Sequence, residues 1–202
     1  KAGVRTVMIT GDYLRTAIAI AKNIGLITMN DDPENVAIDC KTLRPFDNEY
    51  LAPADMDEIT TRCVVFARAQ PADKLEIVKS LRRQGFVTGM TGDGVNDAPA
   101  LHEANIGVAM GINGTEVAKA ASDMVLLDDN FVTLVAAIRK GRQIYANVQK
   151  FVIYFIGTNA ATVSLIMLGV FVGVPIPFLP LVILFLNLAI DGTCSMSIAV
   201  QP

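Results

Sequence analysis

Three cysteines and one histidine, His102, are all that the 202 residues hold of these two side chains. Cys40, Cys63 and Cys194 lie far apart with no CxxC spacing, which excludes the common zinc patterns and provides no disulfide framework. Reduced structural thiols in a cytosolic setting are the expectation. A single histidine leaves no His-based triad and no multi-histidine metal site. A net charge of −3 offers no surplus of basic side chains and argues against a nucleic-acid partner. The sharpest scarcity is local. Residues 1–150 hold all 17 Lys and Arg and 19 of the 20 Asp and Glu, whereas the last 52 residues hold one charge, Asp191. The mean hydropathy of +0.44 therefore averages two unlike parts. This excludes one homogeneous globular domain, a disordered tail or a disulfide scaffold. There is no initiator Met and no signal-like start at Lys1, and Pro202 follows directly on an apolar run. The sequence reads as a piece of a larger protein.

The charged part alternates strand and helix patterns. Arg5–Thr10 is a short apolar β-type run ending in Gly11-Asp12. A helix follows, with Leu14, Ala17, Ile18, Ala21 and Ile24 on one face and Gly25 as its C-cap. Residues 28–35 read as loop and Val36–Asp39 as a short strand. Residues 41–60 are mixed, with Pro45 and Pro53 as breakers. Val64–Ala67 reads as a strand. Pro71 opens a helix to Gln84 with Leu75, Val78 and Leu81 facing inward. Phe86–Met90 reads as a buried strand. Ile106–Ala109 and Met124–Leu127 complete the strands, with a helix near Thr115–Ala121. This order predicts an α/β fold, a parallel sheet with helices on both faces. In such sheets the chemistry gathers at the carboxyl ends of the strands.

The string Thr91-Gly-Asp-Gly-Val-Asn-Asp-Ala-Pro-Ala-Leu101 carries the strongest chemical signal. Asp93 and Asp97 stand four apart, so a turn entering a helix near Asp97 lets both carboxylates face one point. Adjacent carboxylates repel unless a cation lies between them. Carboxylates, water and a phosphate oxygen are what Mg²⁺ prefers. Gly92 and Gly94 permit a tight backbone whose N–H groups can face an anion. Thr10-Gly11-Asp12 offers a hydroxyl to a phosphate oxygen; a strand-end turn with Asp12 capping a helix is the plain alternative. Lys74 lies in the first turn of the Pro71 helix, where the helix dipole disfavours a cation. That misfit suits a lysine recruited by an anion, the alternative being a surface lysine.

Together and in this order, these three segments resemble the phosphate-handling core of haloacid dehalogenase-like enzymes. With Ile106-Gly-Val-Ala-Met-Gly111 and Ala121-Ser-Asp-Met-Val-Leu-Leu-Asp-Asp-Asn130, the chain resembles the phosphorylation domain of P-type cation-transporting ATPases. The resemblance implies that Asp93 and Asp97 hold Mg²⁺ and that Asn96 assists at the phosphate. It further implies that Thr10 and Lys74 bind the transferred phosphoryl group, with Gly11 in the same motif and Asp12 in the hinge-side loop. ATP is the implied phosphoryl donor. The family's nucleophile is the Asp of a DKTGT motif, and no such string occurs here. The nucleotide-binding and actuator domains are expected upstream of Lys1, so this chain alone is expected to have no ATPase activity.

Phe151–Val174 is charge-free and long enough to cross a bilayer. A second apolar run, Phe178–Val200, is interrupted by Asn187 and Asp191, and Pro175–Pro180 makes a turn between them. Arg139, Lys140, Arg142 and Lys150 precede the first span, which places the charged part in the cytosol by the positive-inside rule. Residues 131–150 are helix-compatible and run into the first span without a break, so one long helix is expected. The predicted parts are 1–137, a phosphorylation-domain portion; 138–174, stalk and first span; 175–180, an extracytosolic turn; and 181–202, the second span of a multi-pass membrane protein. Asp191 at span depth costs about 2.5–3.5 kcal/mol on insertion scales, so a function or partner is expected. Asn187, Asn159, Thr162 and the carbonyls freed at Gly192 make an oxygen-rich cation site with it. Inter-helix hydrogen bonding is the alternative. Residues 142–160 and Leu186–Gly192 resemble the fifth and sixth transmembrane helices of calcium pumps. The resemblance implies Asn159, Asn187 and Asp191 as ligands of a transported cation, Ca²⁺ preferred. Thr162 and Ile190 replace ligands of the two-site pumps, which implies one ion per cycle. An H⁺ or Na⁺ pump, a membrane-anchored haloacid dehalogenase-like phosphatase and a non-catalytic relic are the competing readings.

Overall fold

A computed structural model describes residues 3–28, 30–45, 49–173, 180–185, 188 and 192–199. Two compact units divide at Asn130/Phe131.

The first unit is built on short parallel strands. β1 (Met8–Ile9), β2 (Ala37–Asp39) and β3 (Val65–Ala67) form a three-stranded sheet in the order β1-β3-β2. In its register Met8 lies opposite Val65, and Asp39 opposite Ala67. β4 (Gly89–Gly92), β5 (Ile106–Met110) and β6 (Met124–Leu126) form a second parallel sheet in sequential order. Helices α1 (Leu14–Asn23), α2 (Pro33–Val36), α3 (Pro53–Arg62), α4 (Pro71–Arg83), α5 (Ala98–Glu103) and α6 (Glu116–Ala120) connect the strands. The predicted parallel α/β class is what is observed, with the strands in two sheets of three.

Several elements differ from the sequence expectation for identifiable reasons. Pro53 starts α3 rather than breaking a helix: at the first helical position its missing N–H would have no intrahelical partner anyway. Pro33 does the same for α2, where loop was expected. β4 begins at Gly89, because Phe86 and Val87 precede the ladder and are 49% and 83% exposed. The inward face of α4 carries Asp73, Ile77, Val78 and Ser80, with Leu75 and Leu81 only partly covered. Ile24 follows α1 and is exposed, whereas Ala17 and Ala21, one turn apart, are fully buried against β3.

The core of this unit is divided among three clusters. Phe66, Ile77, Leu43 and Cys40 fill one; Leu101, Val78, Ala100 and Ala109 another; Val65, Ala17 and Ala21 the third. Each large side chain here contributes roughly 1.5–3 kcal/mol by leaving water. α4 supplies Ile77 to one cluster and Val78 to another, so its second turn is held by packing on two sides.

The second unit is dominated by α7 (Phe131–Val172), 42 residues long. Its most apolar window has mean hydropathy 1.9 and none of it is buried, which satisfies the length and composition needed to cross a membrane. Gly173 ends it in the left-handed region, φ +73°, where only glycine escapes a Cβ penalty. The helix starts seven residues before the predicted 137/138 boundary, in line with the expected unbroken run into the first span. α8 (Pro180–Phe185) and α9 (Gly192–Ala199) follow, with α9 alongside α7. Residues 175–179 of the expected turn, and Val174 before it, lie outside the described residues.

Candidate phosphoryl-transfer site

Asp97 is the centre of the site. It closes a 3₁₀ turn, Val95–Asp97, directly after β4 and is 5% exposed. Its Oδ2 accepts from the backbone N–H of Asp93 and of Gly94, each at 3.3 Å. Its Oδ1 pairs with the Lys74 ammonium. The two carboxylates four residues apart come from one turn, Asp97 buried and Asp93 exposed. The Asp93 side chain is exposed and makes no ion pair or hydrogen bond among the described residues. Asn96 is exposed beside it.

Gly92 has a steric reason to be glycine. A Cβ there would lie 2.5 Å from the Asp97 Cβ and 2.9 Å from its Cγ and Oδ2. Gly94 has none: its φ of −99° and ψ of 162° suit any residue, and a Cβ would meet nothing closer than 3.7 Å. The expectation that both glycines serve the tight backbone therefore applies to Gly92 alone.

Thr10, Gly11 and Asp12 form a small turn at the end of β1. Thr10 Oγ1 donates to Asp12 Oδ2 at 3.0 Å and accepts from the Asp12 N–H at 3.2 Å. Asp12 therefore braces Thr10 rather than capping α1, whose N-cap is Tyr13 with no side-chain bond. The end of β3 holds this turn: Arg68 N–H donates to the Asp12 carbonyl at 2.9 Å and Ala69 N–H to that of Thr10 at 3.0 Å. Arg68 sits in the left-handed region at φ 52°, with its guanidinium 5.2 Å from the centre of the Tyr13 ring. α4 starts two residues after Ala69 and brings Lys74 to Asp97. The Thr10 turn and the Asp97 turn are thus linked through β3 and α4, both at carboxyl ends of parallel strands.

Two further residues have roles beyond the sequence expectation, Thr115 against the Asp97 turn and Asp129 on the 111–113 loop. Thr115 caps α6 and donates its N–H to the Asp93 carbonyl at 2.8 Å. Asp129, at φ 49°, accepts from the N–H groups of Gly111, Ile112 and Asn113 at 2.6–3.0 Å and from the Asn113 side chain at 2.8 Å. Desolvation opposes the charge on Asp129, but these donors together hold its carboxyl below the ordinary value. The clustered Asp128-Asp129-Asn130 string was the only available signal for it.

Among the described residues no group of three or more His, Cys, Asp or Glu is placed to hold a metal ion. Mg²⁺ does not require one, since it is usually held by one or two carboxylates, waters and substrate phosphate. Asp93 and Asp97, one exposed and the other pinned by two backbone amides, fit that donor set. In the second unit, the Asn159 side chain donates to the Phe155 carbonyl of its own helix at 2.8 Å, and Thr162 donates to that of Thr158 at 2.9 Å. Both bonds are within α7. Asn159 also lines a shallow open groove with Phe155, Ile156, Ala160, Val163 and Ser164. Asn187 and Asp191 lie outside the described residues.

Residues 1–105 match the family of haloacid dehalogenase-like hydrolases. Over its whole length the chain is 54% identical to a P-type sodium-transporting ATPase4 of Toxoplasma gondii and 49% identical to that of Plasmodium falciparum. It is 42% identical to a calcium-transporting ATPase of Bacillus subtilis, again over its whole length. It spans only 15%, 16% and 22% of these relatives. A crystal structure of a zinc-transporting PIB-type ATPase in its E2.Pi state superposes with a TM-score of 0.61 at 25% identity, over 96% of this chain and 24% of that one. The chain therefore belongs to the haloacid dehalogenase-like hydrolases and, among them, is similar along its whole length to the P-type cation-transporting ATPases.

Proposed function

We propose that these residues form part of an ATP-driven cation pump that works through an aspartyl-phosphate. The observation that carries this reading is the Asp97 turn. One buried carboxylate is fixed by the Asp93 and Gly94 amides and paired with Lys74 at the carboxyl end of a parallel strand. In the full-length protein, an aspartate outside these residues attacks the γ-phosphorus of ATP and ADP leaves. Water later cleaves the acyl phosphate and releases inorganic phosphate. Such a transfer leaves little covalent chemistry to the protein beyond the nucleophile, so positioning and charge neutralisation dominate. The Thr10 hydroxyl, on turning from Asp12, and the Lys74 ammonium hold phosphoryl oxygens, and Asn96 assists at the phosphate. Gly11, Asp12 and Gly92 shape the two turns, and Gly94 contributes its backbone N–H to Asp97. Asp93 and Asp97 would hold Mg²⁺, which when bound neutralises charge on the phosphoryl oxygens.

Asn159, Asn187 and Asp191 are the proposed ligands of the transported cation, in a multi-pass protein whose first unit faces the cytosol. Na⁺ is favoured as that ion by the sodium-transporting relatives at 54% and 49% identity. Ca²⁺ is the second reading, favoured by calcium-transporting relatives at 42% and 43% and by the resemblance of the segments that carry Asn159, Asn187 and Asp191 to calcium-pump helices. Acid-stable, hydroxylamine-labile phosphoenzyme formed from ATP by the full-length protein tests both. Dependence on Na⁺ supports the first, and a requirement for micromolar Ca²⁺ supports the second. Absence of any hydroxylamine-labile phosphoenzyme would overturn the pump reading. Asp191→Asn should abolish ion dependence; unchanged activation would remove Asp191 from the ligand set.

A further inference from the structure

The first turn of α4 is held by a buried charge network that the phosphoryl-transfer chemistry does not itself require. Asp73 lies one residue before Lys74, and its side chain is 0% exposed. Its Oδ1 is 2.9 Å from Arg44 Nε and accepts from the Tyr50 hydroxyl at 2.9 Å. Its Oδ2 accepts from Arg44 Nη2 at 3.1 Å and from the Gln70 N–H at 2.7 Å. Arg44 Nη1 donates to Gln70 Oε1 at 2.7 Å, so one guanidinium grips both the N-cap residue and the third residue of the helix. Arg44 is itself only 10% exposed.

The clamp has its own anchor. Arg44 follows Leu43, which is fully buried, and the Leu51 N–H beyond Tyr50 donates to the Leu43 carbonyl at 3.0 Å. Burial, followed by the hydrogen bond to Asp73, pushes the Tyr50 phenol above its ordinary range, so it stays a neutral donor. A buried ion pair is a poor source of net stability, because desolvation cancels much of the attraction. What this network supplies is geometry. A lysine side chain is long and flexible, so its ammonium is aimed only as well as its backbone is fixed. The Lys74 N–H makes the first helical bond, to the Gln70 carbonyl, directly inside the clamp.

We propose that Arg44 and Tyr50 are positioning residues for Lys74, fixing the start of α4 so that the ammonium meets the transferred phosphoryl group beside Asp97. The inference rests on the phosphoryl-binding role of Lys74. It is tested with full-length membrane protein by equilibrium binding of orthovanadate at fixed Mg²⁺, in Tyr50→Phe, Arg44→Lys, Lys74→Ala and the Tyr50→Phe/Lys74→Ala double variant. Loss of one hydrogen bond to the buried carboxylate should weaken vanadate binding about fivefold in Tyr50→Phe. Arg44→Lys, which loses the planar fork, should weaken it further. Lys74→Ala should weaken it as well, and adding Tyr50→Phe to it should then change nothing. A Tyr50→Phe effect of equal size in both backgrounds would show action on the fold rather than through Lys74 and overturn the proposal. So would wild-type binding by Tyr50→Phe while Lys74→Ala is impaired. Wild-type binding by Lys74→Ala would instead remove the role assigned to Lys74, and this inference with it. Tyr50→Phe keeps the test open if Arg44→Lys fails to fold.

Discussion

Replacing Gly92 with alanine puts one methyl group against the centre of the site. The added Cβ would lie 2.5 Å from the Asp97 Cβ, whereas carbon atoms rest at about 3.5–4.0 Å. The shortfall is therefore about 1 Å or more. Rotating the Asp97 side chain cannot relieve it, because the Cβ moves only with the backbone. The 93–97 turn itself must shift, and with it the Asp93 and Gly94 amides that hold Asp97. Overpacking of this kind costs about 1–3 kcal/mol of stability. A misplacement of about 1 Å at a reacting group can cost about 100-fold in function. In the full-length protein, Gly92→Ala should raise the Mg²⁺ concentration needed for half-maximal phosphoenzyme formation by about 10- to 100-fold. Gly94→Ala is the matched control: its Cβ meets nothing closer than 3.7 Å, and its backbone already suits alanine, so it should stay near wild type. Wild-type Mg²⁺ dependence in Gly92→Ala, or equal losses in the two variants, would refute the reasoning.

The remaining expectations concern parts that support the site. The buried Cys40 thiol is pushed up to about 12 by desolvation and the nearby carboxylates of Asp73 and Asp39, and Cys63 is raised chiefly by burial. Both should resist iodoacetamide at pH 8 in the folded protein and react after denaturation, as read by peptide mass spectrometry. The folded-state pKa of Asp129 lies below its ordinary 3.8, so its clasp on residues 111–113 should be complete above that value and lost as pH falls through the lowered one. Protection of the Gly111, Ile112 and Asn113 amides, relative to their intrinsic exchange rates, should fall in that acid window and, at neutral pH, in Asp129→Ala; unchanged protection in the variant would count against the clasp. A flexible glycine insertion at Gln149, inside α7, should uncouple ATP hydrolysis from transport in the full-length protein, whereas unchanged coupling would show that the continuous helix transmits nothing.

Much of the molecule was legible because its signals are local. The Thr91–Leu101 string, the strand–helix alternation and the charge-free run after Lys150 each depend on neighbours in sequence. They led to the α/β class, the two carboxylates of the Asp97 turn and the long helix into the apolar segment. Start signals are less legible, since proline both opens and breaks helices: Pro53 reads as a breaker in sequence and begins α3 in the fold. Exposure also misled where hydrophobicity alone was the guide: Phe86 and Val87 read as core strand but precede the ladder. What only the tertiary structure decided is how distant residues meet. Nothing near Arg44 or Tyr50 in sequence announces that they enclose Asp73, because the contact spans 29 and 23 residues and needs the Leu43 turn to be buried first. The same holds for Asp129 on the 111–113 loop, and for the different needs of Gly92 and Gly94, which look alike in sequence. A pattern of residue types specifies which groups are available; distances between them exist only after the chain has packed.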